Sequence, residues 1–220
     1  MYMLKNIQNI MGFVLDNILP PRKDFDIVKR LNPEKICKLP KPEKVIGEDW
    51  IHPLFQYKDK RVKAIVWELK YKENTLPIDT IGKILYEEII STISDIFIFD
   101  NDASFVLIPI PITKYRRIER GYNQSEIIAK SIIEHDLNHI LLYAPQWLEK
   151  IIDTPRQSRS ETKYDRVMNL LDSFKANHMV KGKYIILIDD VVTTASTLKE
   201  ARKELLLNGS KQVLAFTIAH

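Results

Sequence analysis

The sequence predicts an α/β protein, built on a mainly parallel central sheet flanked by helices. Three observations carry this. Wholly apolar runs of strand length occur at residues 104–110 (SFVLIPI), 184–188 (YIILI) and 212–219 (QVLAFTIA). Amphipathic helical stretches at 125–134 and 197–207 alternate with them. Uninterrupted apolar strands separated by such helices are those buried on both faces, as in parallel sheets. Sheets of this kind bind ligands beyond the carboxyl ends of their strands, which directs attention to the residues after Ile110 and Ile188.

Residues 4–19 place Leu4, Ile7, Met11, Val14, Leu15 and Ile18 three and four apart, predicting one apolar helical face that Pro20-Pro21 terminates. Residues 22–48 are rich in Lys, Pro, Asp and Glu without a sustained period, and predict an irregular connection. The expected division is an N-terminal helical and irregular appendage at 1–48 and a main domain at 49–220. Val62, Ile65, Val66 and Leu69 predict a short helix, and Ile81, Leu85, Ile89 and Ile93 a longer one over 78–93. There is no internal repeat.

Composition is that of a globular chain: 220 residues, 45% hydrophobic and 28% charged, with 33 Lys+Arg against 29 Asp+Glu. That excludes disordered, collagen-like and disulfide-scaffold classes. The net charge of +4 is spread among acids rather than clustered, so charge alone does not point to nucleic acid. Direct binding of single-stranded DNA by the Lys-rich segment 22–44 is the weakest of the readings. A single cysteine, Cys37, allows neither an internal disulfide nor a structural zinc site, and a reducing cytoplasmic setting is expected. The longest apolar runs are about seven residues, well short of the ~18 of a membrane span. Asp16 and Asn17 interrupt the apolar stretch 11–15, so no signal peptide is expected.

The most informative stretch follows YIILI: Asp189-Asp190-Val191-Val192-Thr193-Thr194-Ala195-Ser196-Thr197. Two acids at a strand end supply acceptors for sugar hydroxyls. Four hydroxyl residues at the start of a helix supply O–H and N–H donors, with the positive end of the helix dipole, for a phosphate. Helix capping alone needs one hydroxyl. The glycines, at 12, 47, 82, 121, 182 and 209, match neither a P-loop nor a dinucleotide-binding Gly-x-Gly-x-x-Gly. A second stretch, 114–124, carries Lys114, Arg116, Arg117 and Arg120, enough to neutralise a diphosphate.

The segment 189–197 resembles the type I phosphoribosyltransferases, and more closely the ComF family associated with competence for DNA uptake. The family's usual Asp-Asp-Val-Val-Thr-Thr-Gly-Ala-Thr appears with Ala195 in place of the glycine. The stretch Pro109-Ile110-Pro111, then Arg117-Ile118-Glu119-Arg120-Gly121-Tyr122-Asn123-Gln124, resembles the family's Pro-x-Pro and Arg-x-x-Arg-Gly-Phe/Tyr-Asn-Gln. Thr154, Gln157, Arg166 and Asn169 resemble a Thr-x-x-Gln…Arg-x-x-Asn lid, with Lys150 where an Arg is usual. Ile18-Leu19-Pro20-Pro21-Arg22 and Leu69-Lys70-Tyr71 are similar to the family's opening and to its Leu-Lys-Tyr/Phe run. The zinc-binding cysteine pairs of many members are absent, so no zinc is expected.

The resemblance implies a type I phosphoribosyltransferase fold with a hood, and a phosphoribosyltransferase that binds phosphoribosyl pyrophosphate with Mg²⁺ and transfers the phosphoribosyl group to a nitrogenous base or amine. By it Asp189 and Asp190 are the catalytic acids, which also bind the ribose hydroxyls, and Thr193, Thr194, Ala195, Ser196 and Thr197 hold the 5-phosphate. Arg116, Arg117, Arg120, Gly121, Tyr122, Asn123 and Gln124 line the pyrophosphate, and Mg²⁺ is held mainly through the ligand, with Asp189 and Asp190 as protein donors. DNA-uptake proteins are the implied partners; a second copy of the chain is a further candidate that no motif decides. The alternative is a non-catalytic nucleotide sensor or adaptor in DNA uptake. His135 and His139 have metal-ligand spacing but neither an intervening Glu nor a third ligand, and are expected on a solvated helix end. Trp50, Trp67 and Trp147 are scattered and expected in packing.

Overall fold

The computed structural model describes residues 23–42, 47–71, 77–152 and 173–220. Its helices and strands are, in chain order, α1 (Lys23–Lys29), α2 (Pro33–Cys37), β1 (Ile51–Phe55), α3 (Lys60–Tyr71), α4 (Ile78–Phe99), β2 (Phe105–Pro109), α5 (Lys114–Arg120), α6 (Gln124–Glu134), β3 (Leu141–Tyr143), β4 (Leu148–Lys150), β5 (Phe174–Ala176), β6 (Tyr184–Val191), α7 (Ser196–Leu207) and β7 (Gln212–Ala219). Five strands form one sheet in the order β1-β7-β6-β2-β3, every pairing parallel. The expected α/β class and helix-flanked parallel sheet are what the chain adopts.

The three apolar runs become β2, β6 and β7 because each strand must be apolar toward both layers. Along β6, Ile186 and Ile188 face one core while Ile185 and Leu187 face the other, the two-residue alternation of a pleated strand. The first core is filled by α3, α4 and α6, through Leu69, Ile81, Leu85, Ile89, Ile128 and Ile132. Leu198, Ala201 and Leu205 of α7 cover the opposite face. β2 and β6 pair from Phe105↔Tyr184 to Pro109↔Ile188, and the Ile110 N–H continues to the Ile188 carbonyl at 2.8 Å. Their carboxyl ends are therefore level, and the chains leaving them emerge side by side.

The structure differs from expectation in several elements. β1 (IHPLF), which carries a proline, has no counterpart among the sequence expectations. It is an edge strand pairing with β7, a position that tolerates the missing N–H. Within the segment expected to be irregular, α1 and α2 form. Asn32 caps α2 by accepting from the Lys35 N–H, Pro33 opens it, and Val28, Ile36 and Leu39 are buried in the main core. α4 continues past residue 93 to Phe99, where the Asp100 N–H closes on the Ile96 carbonyl. β6 extends through Asp189 and Asp190 instead of stopping before them. The helix expected over 4–19 lies outside the described residues.

Candidate functional site

The site forms where β2 and β6 end. Asp189 and Asp190 belong to the last residues of β6, with partners from two different helices. Asp189 Oδ1 accepts from Ser125 Oγ of α6 at 3.0 Å and from the Asp190 N–H at 2.9 Å. Asp190 Oδ1 accepts from the Val191 N–H at 2.7 Å, and its Oδ2 lies 2.9 Å from Lys70 Nζ at the end of α3.

Burial, then the neighbouring Asp190 carboxylate, push the Asp189 pKa up to about 7 against the pull of its hydrogen bonds and Lys70. Burial presses Lys70 toward its neutral form, but Asp190 and then Asp189 outweigh it and hold its pKa above the ordinary value. The acid pair with Lys70 thus carries less net negative charge than two free carboxylates would.

Beyond Val191 the chain turns into α7 through the hydroxyl loop. Thr194 Oγ1 and Ser196 Oγ are 2.9 Å apart. Ala195, at φ 57° and ψ 4°, occupies the left-handed region as the residue before the first turn. That conformation costs a non-glycine residue about 1–2 kcal/mol, and it explains why a glycine is usual in the resembling motif. Ala195 offers no side chain to cap α7, and no acid occupies the helix's first turn. The hydroxyls therefore do not serve as the ordinary cap, and the helix start presents its first N–H groups to a depression of about 40 Å³ bounded by Asp189 and residues 191–198. A helix start of this kind favours a small anion.

The basic stretch is itself helical. Thr113 accepts from the Arg116 N–H to start α5, and Gly121, at φ 84°, ends it by donating its N–H to the Arg117 carbonyl. Arg117 pairs with Glu126 of α6 while remaining half-exposed. The Arg120 side chain lies outside what is described. The motif's next three residues bind backbone: Tyr122 Oη donates to the Leu69 carbonyl at 2.9 Å, the Gln124 amide to the Lys70 carbonyl at 3.3 Å, and the Asn123 amide to the Ile110 carbonyl at 3.0 Å. Asn123 Oδ1 also accepts from the Ser125 N–H, capping α6. Tyr122, Asn123 and Gln124 thus tie the end of β2 and the end of α3 to the start of α6, and Gly121 makes the turn between the helices.

Sequence reasoning gave no role to Lys70 or Ser125, the two groups that touch the acids. Leu69-Lys70-Tyr71 is legible as a run and Ser125 as a helix start, but neither contact has a local signature. The expected lid residues Thr154, Gln157, Arg166 and Asn169 lie outside the described residues. Among the described residues on either side, β4 and β5 pair antiparallel and the Ile151 N–H donates to the Ser173 carbonyl at 2.9 Å. Lys150 sits in β4 with its ammonium 5.4 Å from the Phe174 ring centre.

Among the described residues no three His, Cys, Asp or Glu side chains cluster to hold a metal, and no helix is long and apolar enough to cross a membrane. The donor set at the strand end is two carboxylates, one of them already paired with a lysine. A hard cation such as Mg²⁺ needs about six oxygens and would take most of them from a ligand.

No family model matches the chain. It is 34% identical over 118 residues to the competence protein ComFC of Bacillus subtilis, covering 53% of this chain and 45% of that protein. It is 26% identical over 152 residues to the DNA utilization protein YhgH of Salmonella typhimurium, covering 69% of this chain and 64% of that one. Competence protein F of Haemophilus influenzae is 28% identical over 120 residues, covering 51% and 49% respectively. The match thus spans about half to two thirds of the relatives' own length. Among solved structures, a hypoxanthine phosphoribosyltransferase of Trypanosoma cruzi is similar at 13% identity and a TM-score of 0.41, over 64% of this chain and 63% of that one. In sequence the chain is thus similar to bacterial competence and DNA utilization proteins, over part of their length.

Proposed function

We propose that the chain binds phosphoribosyl pyrophosphate with Mg²⁺ and transfers its phosphoribosyl group to a nitrogen nucleophile, releasing pyrophosphate. The observation that carries this is the uncapped start of α7, ringed by hydroxyls, directly after two strand-end acids. Such an arrangement suits a sugar whose 5-phosphate and hydroxyls are bound together. The 193–197 loop would donate N–H and O–H groups to the phosphate, and Asp190 would accept from the ribose hydroxyls. Asp189, held by Ser125 and raised to a pKa of about 7, would in its ionised form stabilise positive charge developing on the sugar ring. Arg117, exchanging Glu126 for the ligand, would neutralise the leaving group, a task Mg²⁺ shares when bound. Catalysis by these residues is positioning and charge stabilisation.

The second reading, a non-catalytic binding protein serving DNA uptake, is favoured by the names of the relatives. Calorimetry with phosphoribosyl pyrophosphate and Mg²⁺, followed by a screen of bases for pyrophosphate release, separates the two. Binding with release, lost in Asp190→Asn without loss of fold, supports the transferase. Binding without release under any base supports the sensor, and no binding at millimolar ligand refutes the transferase.

A further inference from the structure

Lys70 stands outside every motif to which the resemblance gives a task, yet its ammonium lies 2.9 Å from Asp190 Oδ2. The chain builds that contact deliberately. Tyr122 Oη holds the Leu69 carbonyl and the Gln124 amide holds the Lys70 carbonyl, so the end of α3 is fastened at two successive residues. Fastening the backbone fixes where the side chain starts, so that only its rotamer freedom, among the largest of any residue, is lost when the ammonium is held. An exposed Lys–Asp pair would contribute little. Here Asp190 is only 9% exposed, so its partner decides whether the charge is tolerable.

The geometry also leaves capacity for a ligand. A carboxylate has about four lone-pair positions. Among the described residues, the Val191 N–H takes one on Oδ1 and Lys70 one on Oδ2, which fixes the carboxyl plane and leaves each oxygen able to accept again. Two oxygens in a fixed plane suit a vicinal diol, whose two hydroxyls donate in parallel.

We propose that Lys70 is a specificity-determining positioning residue of the sugar site: by fixing Asp190 it makes the site prefer ribose phosphates to 2-deoxyribose phosphates. The inference rests on the phosphoribosyl reading above and adds to it the residue that enforces the choice of sugar.

Calorimetric titration of the full chain with ribose 5-phosphate, 2-deoxyribose 5-phosphate and inorganic phosphate tests it in wild type, Lys70→Met and Lys70→Arg. Wild type is expected to prefer the ribose form by about tenfold, the effect of one charge-assisted hydrogen bond. Lys70→Met should bring the two sugars within about twofold while leaving inorganic phosphate binding at the 193–197 loop unchanged, a split that general loosening of the fold would not produce. Lys70→Arg should restore most of the preference. Lys70→Met strands the Asp190 charge, so the double variant Lys70→Met/Asp190→Asn removes both partners. It should fold as wild type does and still show no preference.

An intact preference in Lys70→Met overturns the inference and leaves the phosphoribosyl reading standing; an intact preference in the double variant overturns the inference and also the place of Asp190 on the ribose hydroxyls. A wild-type chain that binds both sugars equally also overturns the inference alone. A wild-type chain that binds neither sugar phosphate better than inorganic phosphate overturns the reading and the inference together.

Discussion

Asp189 illustrates how a single side chain in this site is set by its neighbours. Its ordinary pKa of 3.8 applies in the unfolded chain, while burial and the Asp190 carboxylate raise it to about 7 in the folded one. Between those values the folded state binds the extra proton, so stability falls as pH rises. The contribution is complete below about 3.8 and lost as pH passes through about 7. Asp189→Asn keeps an oxygen for Ser125 and cannot ionise. Its stability should match wild type near pH 4 and exceed it increasingly toward pH 8, read by urea denaturation at several pH values. A variant less stable than wild type at pH 8 would count against the raised pKa. Ala195 shows the same dependence on surroundings, since its left-handed backbone is held by strand and helix on either side and not by its own preference.

At the scale of elements, the site depends on how closely α4 and α6 approach, because α6 carries Ser125. Gly82 of α4 makes that approach: a Cβ there would lie 2.2 Å from Ser131 Oγ and 2.9 Å from the Ser131 carbonyl carbon. A flexible side chain could move aside, but backbone cannot. Gly82→Ala gains about 1 kcal/mol of helix propensity and incurs overpacking of about 1–3 kcal/mol. The expected result is a net destabilisation of about 1 kcal/mol, measured by chemical denaturation, and a variant more stable than wild type would show that the helices can separate. Both helices are legible in their apolar spacing, but that Gly82 faces Ser131 is not, because the contact joins residues 49 positions apart.

For the whole molecule, binding at the strand ends must stabilise the fold, since unfolded chain has no such site. Phosphoribosyl pyrophosphate with Mg²⁺ at 100 times its dissociation constant should add about 2.7 kcal/mol to the unfolding free energy. Thermal scans at rising ligand concentration read this as a rising midpoint. A midpoint indifferent to ligand, while other proteins of the same fold class respond under the same conditions, would count against the proposed function. Sequence alone determined the α/β class, the strands β2, β6 and β7 and the stretch 189–197, because each is a local pattern whose physics is complete within ten or so residues. Only the tertiary structure decided that Pro109 and Ile188 lie level, that Ser125 and Lys70 meet the two acids, and that Tyr122, Asn123 and Gln124 brace the backbone. Those contacts join residues 13 to 120 positions apart, for which no local period exists. Partner choice across such distances is settled by packing, which fixes where each helix ends before any side chain can reach across.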